Sequence, residues 1–256
     1  MGSMFFLRRI FTSKEYWLSV LAAVVLLMSS VIYSDSFTGE EYTFWALFYD
    51  DTVQQALELG QISISRIILG YDSGYLWMFG PIIVGIPFVI LNRTERFVLF
   101  RIGKNRYVFA KLFSSIVAGG LIIVIAYLIY AMFGMMYENI LNLFLFKKLM
   151  SVFAWGIINT IPCIVLSEFI RNKYLILCIP FVLNYFISTF LSGILPYKVM
   201  KYINPGNYQS VFLMEKETWI PCVGILSVIV ISCIVLKKVL FERRCDCGQQ
   251  KNISCG

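Results

Sequence analysis

The sequence predicts an all-α membrane protein with six transmembrane helices, an N-terminal interfacial helix, and a short cytoplasmic helix between spans two and three. Three observations predict it. Of 256 residues, 59% are hydrophobic and 14% charged, and the mean hydropathy is +0.77, whereas soluble domains hold roughly 45–50% apolar and about 25% charged residues. The apolar residues fall in continuous runs near the roughly 20 that a helix needs to cross a bilayer, without the alternation of a barrel strand. Lys and Arg collect on one side of those runs.

Residues 1–15 form an N-terminal cytoplasmic segment in which Leu7, Ile10 and Phe11 share one helical face beside Arg8 and Arg9, as in a helix lying in the membrane interface. Thr12 and Glu15 stand at capping-box spacing and mark a new helix start. The transmembrane domain, 16–236, opens with a span over Tyr16–Tyr33. The outer loop 34–74 carries seven acidic residues against the single Arg66. Within it Val53, Ala56, Leu57, Gly60, Ile64, Ile67 and Ile68 recur at helical spacing and predict an amphipathic helix over the outer mouth. Span two, about Tyr75–Leu91, holds Pro81 and Pro87, which remove backbone hydrogen bonds and kink a helix. After the loop 92–111, span three runs over about Leu112–Phe133 and opens with Ser114, Ser115, Ala118, Gly119 and Gly120, a small-residue face suited to close helix contact.

Tyr137–Met150 is too short between its charges to span, so a re-entrant or interfacial segment is expected. Span four, about Ser151–Phe169, contains Asn159, Thr160 and Pro162. Arg171, Asn172 and Lys173 make a tight turn, with Glu168 spaced to pair with Arg171. Span five covers about Tyr174–Leu195, with Asn184 its one strongly polar residue. The outer loop 196–218 turns at Asn204-Pro205-Gly206, span six runs over about Trp219–Leu236, and 237–256 is a cytoplasmic tail.

Orientation follows from counting Lys and Arg across the spans. Arg66, Lys147, Lys148, Lys198, Lys201 and Lys216 fall on one side, and the other 16 of the 22 fall with both termini and the 92–111 loop. This predicts a multi-pass protein of the cell membrane with both termini cytoplasmic. It also explains most of the +7 net charge without nucleic acid as a partner.

Several chemistries are excluded or weakened. Histidine is absent, which removes imidazole acid/base and metal chemistry. Cys245, Cys247 and Cys255 lack the spacing and the fourth ligand of a zinc site, so no metal is expected. Gly103-Lys104 has Val98 where a phosphate loop needs its first glycine and Asn105 where it needs Ser or Thr. No catalytic residues, cofactor or nucleotide site are therefore expected in this chain. The predicted spans contain no Asp, Lys, Arg or His and only Glu168 at one edge, which argues against a proton relay or a carboxylate-driven intramembrane hydrolase. Asn159, Thr160 and Asn184 are the most polar groups near membrane depth, with interhelical hydrogen bonding and pathway lining as the two readings.

The loop 92–111 is the most basic segment, with Arg93, Arg96, Arg101, Lys104, Arg106 and Lys111 against Glu95. Thr94–Ile102 is helix-compatible, Gly103 stands where a helix C-terminal cap would, and Asn105 can cap the next helix. Phe97, Val98, Leu99, Phe100 and Ile102 fall all round that short helix. Apolar surface on every side predicts cover from the membrane domain and from a partner.

The interfacial N-terminal helix, the six spans and the run from Glu95-Arg96 through Arg101-Ile-Gly-Lys-Asn-Arg106 to Lys111 resemble the type-2 permease family of ATP-binding-cassette exporters. Glu95, Gly103, Arg106 and Lys111 match the family's acidic residue, its Gly or Pro, the nearby basic residue and the Lys opening span three, while Asn105 replaces the more usual Ser-like residue. The resemblance implies that Glu95, Arg96, Phe97, Phe100, Arg101, Gly103, Arg106 and Lys111 form a coupling helix docking a cytosolic ATPase. ATP and Mg would be held in that partner, and a second permease copy would complete the pathway. It further implies export of an amphiphilic substrate, a peptide such as an antimicrobial peptide or toxin being the first guess. A non-transporting membrane sensor or immunity protein is the alternative.

Overall fold

The computed structural model describes residues 2–33, 55, 58, 59, 74–90, 101–135, 143–167, 169, 170, 172–214 and 216–253, and every regular element among them is helical. The amphipathic helix expected within 34–74, the Glu168–Arg171 pair and residues 92–100 of the basic loop lie outside the described residues, apart from isolated positions in the outer loop.

Helix α1 (Gly2–Phe11) buries Phe6 and Ile10, one turn apart on a single face. It ends where Thr12 Oγ1 donates to the Arg8 and Arg9 carbonyls at 2.9 and 3.2 Å, satisfying acceptors that a helix terminus leaves open. Thr12 is thereby occupied, and the cap of α2 (Lys14–Tyr33) is Ser13, whose Oγ accepts from Tyr16 N at 3.3 Å. The capping box expected at Thr12 is corrected to a cap one residue later. The two helices meet at 64°. Tyr16, Val20, Ala23 and Leu27 form the buried face of α2, while Trp17, Leu18, Leu21 and Val25 are exposed. Large apolar side chains facing outward are what lipid solvation allows and water does not.

Helix α3 (Gly74–Ile90) keeps both prolines inside a helical segment. Neighbouring side chains bond its carbonyls: Thr160 Oγ1 donates to Val84 O at 3.3 Å and Cys163 Sγ to Pro81 O at 3.7 Å. Helices α4 (Lys104–Met135) and α5 (Leu143–Leu166) form the central pair. The small-residue face predicted on span three is the contact surface: Ser114, Ser115, Ala118, Gly119 and Gly120 are all buried. A Cβ at Gly156 of α5 would stand 2.7 Å from Gly120 Cα. Only glycine lets the two backbones approach this closely.

Helix α5 begins at Leu143, which corrects the expectation of a separate interfacial segment before a span starting at Ser151. The misleading residues were Lys147 and Lys148, which read as loop. Lys147 is exposed, but Lys148 is 0% exposed, with Nζ 2.8 Å from Ser210 Oγ and 5.5 Å from the centre of the Tyr127 ring. Satisfied in this way, the ammonium does not interrupt the helix.

Helix α6 (Lys173–Phe186) is capped by Asn172, whose Oδ1 accepts from Tyr174 N at 2.9 Å, as the predicted turn requires. It continues through a π turn (Ile187–Leu191) and a final turn (Ser192–Ile194). Helix α7 (Tyr197–Ile203) leads into a 3-10 segment (Pro205–Leu213). At that junction Asn204 Oδ1 accepts from Gly206 N at 3.0 Å and from Ser188 Oγ at 2.8 Å. Helix α8 (Lys216–Ile253) runs through the predicted last span and on through most of the tail without a break.

Four of these helices are long and apolar enough to cross a membrane: Asn105–Met132, Leu143–Leu166, Lys173–Leu191 and Lys216–Leu236. The bent pair α1 and α2 makes a fifth, and the apolar part of α3, Met78–Pro87, is shorter. Among the described residues the chain is thus all-helical, with four helices, or five counting the bent pair as one span, long and apolar enough to cross a membrane.

Candidate functional site

At one end of the central pair, Arg101 and Ile102 are helical, Gly103 adopts a left-handed φ of 80°, and α4 begins at Lys104. The break expected at Gly103 is present. The expected cap at Asn105 is displaced, because Gly103 itself supplies the carbonyl that accepts from Tyr107 N at 2.9 Å. Asn105 sits inside the first turn of α4.

Helix α1 lies across this end. Phe6 meets Tyr107 edge-on at 5.5 Å, and Ser114 Oγ donates to Ser3 O at 3.0 Å. Between the start of α1 and the Gly103 break lies a cavity of about 470 Å³ lined by Gly2, Ser3, Arg101, Ile102, Asn105, Arg106, Phe109 and Ala110. Arg101 and Arg106 are exposed, and Phe109 is 55% exposed. Two guanidiniums beside apolar surface can receive a carboxylate and an apolar side chain from another chain.

Of the predicted docking residues, the structure brings Arg101 and Arg106 to one cavity beside the exposed Gly103. Lys111, two turns into α4, is half-buried, with its ammonium 5.9 Å from the centre of the Tyr107 ring. Glu95, Arg96, Phe97 and Phe100 lie outside the described residues. Phe109 was missed, although its three-residue spacing from Arg106 on a helix puts both on one face. Gly2 and Ser3 carry no local signal for this position.

The polar trio at membrane depth also comes together. Asn184 Nδ2 donates to Asn159 Oδ1 at 3.3 Å, and Asn159 Nδ2 donates to Trp155 O at 2.9 Å. Thr160 Oγ1 bonds the Gly156 carbonyl at 2.8 Å as well as Val84 O. All three residues are buried, so within one chain they tie α5 to α6 and α3.

The Gly103 geometry makes a specific prediction. No atom lies within 4 Å of a Cβ built there, so Gly103→Ala meets no steric obstacle and its effect is that of the backbone alone. Its cost is expected to be about 1 kcal/mol, the penalty for an L-residue in the left-handed region, with Gly103→Asn milder. Denaturation midpoints of the purified variants in mixed micelles check this, and equal midpoints for all three proteins would refute it.

Comparison with family models, with curated proteins and with solved structures finds no match to this chain.

Proposed function

We propose that this chain is the membrane permease subunit of an ATP-binding-cassette exporter, with six spans, both termini cytoplasmic, and a second copy completing the pathway. The observation that carries the reading is the helix break at Gly103, with Arg101 and Arg106 exposed beside it at the foot of α4. A partner engaging that foot acts directly on a 32-residue helix that packs along α5. Force applied at the base therefore reaches the far side of the bundle through one continuous element. A cytosolic ATPase supplies that force from ATP and Mg, and the sequence around Gly103-Lys104 lacks the phosphate-loop pattern that would let this chain do so itself. The cargo is an amphiphilic molecule, most simply a peptide.

Co-purification tests the reading. A cytosolic ATPase is expected to accompany the chain, and the Phe97→Ala, Phe100→Ala, Arg101→Ala triple variant is expected to lower its recovery at least tenfold while leaving membrane insertion intact. Efficient export by this chain alone in liposomes would overturn the energy source. A complex free of any ATPase would instead favour a non-transporting membrane sensor.

A further inference from the structure

Two guanidiniums stand at the foot of α4 without a counter-charge. Arg101 and Arg106 are exposed, and neither has a hydrogen-bond or ion-pair partner among the described residues. The cavity of about 470 Å³ that they share has Ser3 and Asn105 as its other polar side chains, so every charge on its wall is positive.

The cavity also stands at a particular level of the bundle. The stretch of α4 that is apolar enough to cross a membrane begins at Asn105, on the cavity wall, so the site lies where that span meets water. Met4 and Phe5 of α1, next to the wall at Ser3, are exposed. Trp17, just past the bend into α2, is exposed too, and its Nε1 donates to the Phe11 carbonyl at 2.9 Å. Tryptophan with an apolar ring outward and its N–H satisfied is characteristic of a membrane interface.

From the cavity an apolar track leads along α4 into the span. Phe109 lines the cavity, Phe113 is one turn further on, and both are exposed, with their rings stacked at 6.1 Å and 12° between planes. Phe113 is seven residues beyond Arg106, or about 10 Å deeper at a rise of roughly 1.5 Å per residue. A soluble anion would satisfy the guanidiniums and leave this track bare. An acidic protein segment reaching Phe113 would carry unsatisfied backbone groups into hydrocarbon. A molecule with a phosphate at one end and an alkyl chain at the other meets both surfaces, and basic pockets at the end of a span are where anionic headgroups bind.

We propose that the cavity at the foot of α4 is a binding site for one anionic phospholipid of the adjoining leaflet, its phosphate held by Arg101 and Arg106 and an acyl chain lying along Phe109 and Phe113. The site depends on α4 crossing a membrane and not on an ATPase.

Native mass spectrometry of the full chain in detergent, titrated with dioleoyl phosphatidylglycerol or dioleoyl phosphatidylcholine, reads binding without a transport assay. One phosphatidylglycerol is expected to bind about tenfold more tightly than phosphatidylcholine, as two cations facing one anionic headgroup require. Arg106→Gln is expected to weaken phosphatidylglycerol about fivefold or more and to leave phosphatidylcholine unchanged, and Arg106→Lys, which keeps the charge but loses the fork, should fall between. Replacing Phe109 and Phe113 together by Ser is expected to weaken phosphatidylglycerol about fivefold, and Leu at both positions to restore it. Lys14→Gln, which removes an exposed cation of α2 off the cavity wall, should change neither affinity. Equal binding of the two lipids, equal losses in Arg106→Gln and Lys14→Gln, or displacement of phosphatidylglycerol by an equal concentration of inorganic phosphate would overturn the site. Arg101 is shared with the proposed ATPase contact, so the variants spare it. Selective lipid binding in a chain that recruits no ATPase would overturn the exporter reading and leave the lipid site standing; ATPase recovery without lipid selectivity would do the reverse.

Discussion

Gly156→Ala is expected to force the central helix pair apart and to lower the unfolding midpoint of the purified protein sharply. The added methyl would stand 2.7 Å from Gly120 Cα, 3.1 Å from Gly119 O and 3.3 Å from Gly120 N. Every one of these neighbours is backbone, so no rotamer change makes room, and α4 and α5 must separate as rigid bodies. Overpacking in a well-filled interior costs about 1–3 kcal/mol, and the upper end or more is expected where only backbone can yield. Separation would also loosen Thr160, whose hydroxyl bonds both Gly156 O and Val84 O and so joins the pair to α3. Gly156→Leu should leave little monodisperse protein after extraction. Thermal unfolding in detergent and size-exclusion profiles check both, and an unchanged midpoint for Gly156→Ala would rule out the close crossing.

Gly80→Ala is expected to be similarly damaging alone but, unlike the first, to be rescued by a second substitution. A Cβ at Gly80 would collide with the indole ring of Trp155, a side chain at 0% exposure and the largest of the fully buried ones. Here the obstacle is a ring, and a smaller ring removes it. Trp155 Nε1 has no hydrogen-bond partner among the described residues, so Trp155→Phe strands no donor. The single variants should each lose about 1–3 kcal/mol, one through overpacking and the other through a cavity. The double variant should be more stable than the sum of the two losses predicts by at least about 1 kcal/mol, the non-additivity expected of contacting residues. Additive losses would show that the two positions do not touch.

Much of the helical layout is legible in the sequence because its signals are local. Asn172 caps α6, Asn204-Pro205-Gly206 turns the chain, and Gly103 breaks it, each through a side chain or a φ value that acts within a few residues. The small residues of span three are legible for a related reason, since a stripe of Ser, Ala and Gly on an apolar helix has close approach as its main structural use. At the candidate site, the break and the cations beside it are legible, but one wall of the cavity is not. Gly2 and Ser3 reach it only because α1 folds back at 64° across the foot of α4. Thr12 misled for a smaller reason: its hydroxyl had two uses, and satisfying the carbonyls behind it left Ser13 to cap the helix ahead.

By itself, then, the sequence determined a helical membrane protein with turns at particular residues, because composition and short-range capping act before any tertiary contact forms. The tertiary structure alone decided what becomes of Lys148. As a sequence element it is a loop charge that ends a helix; in the fold it lies inside α5, held by a hydroxyl 62 residues away. In the same way, the bond joining Ser114 to Ser3 spans 111 residues. Burying a polar group depends on partners being present at the moment of burial, and partners that distant are supplied by the assembled fold and by no pattern in the neighbouring residues.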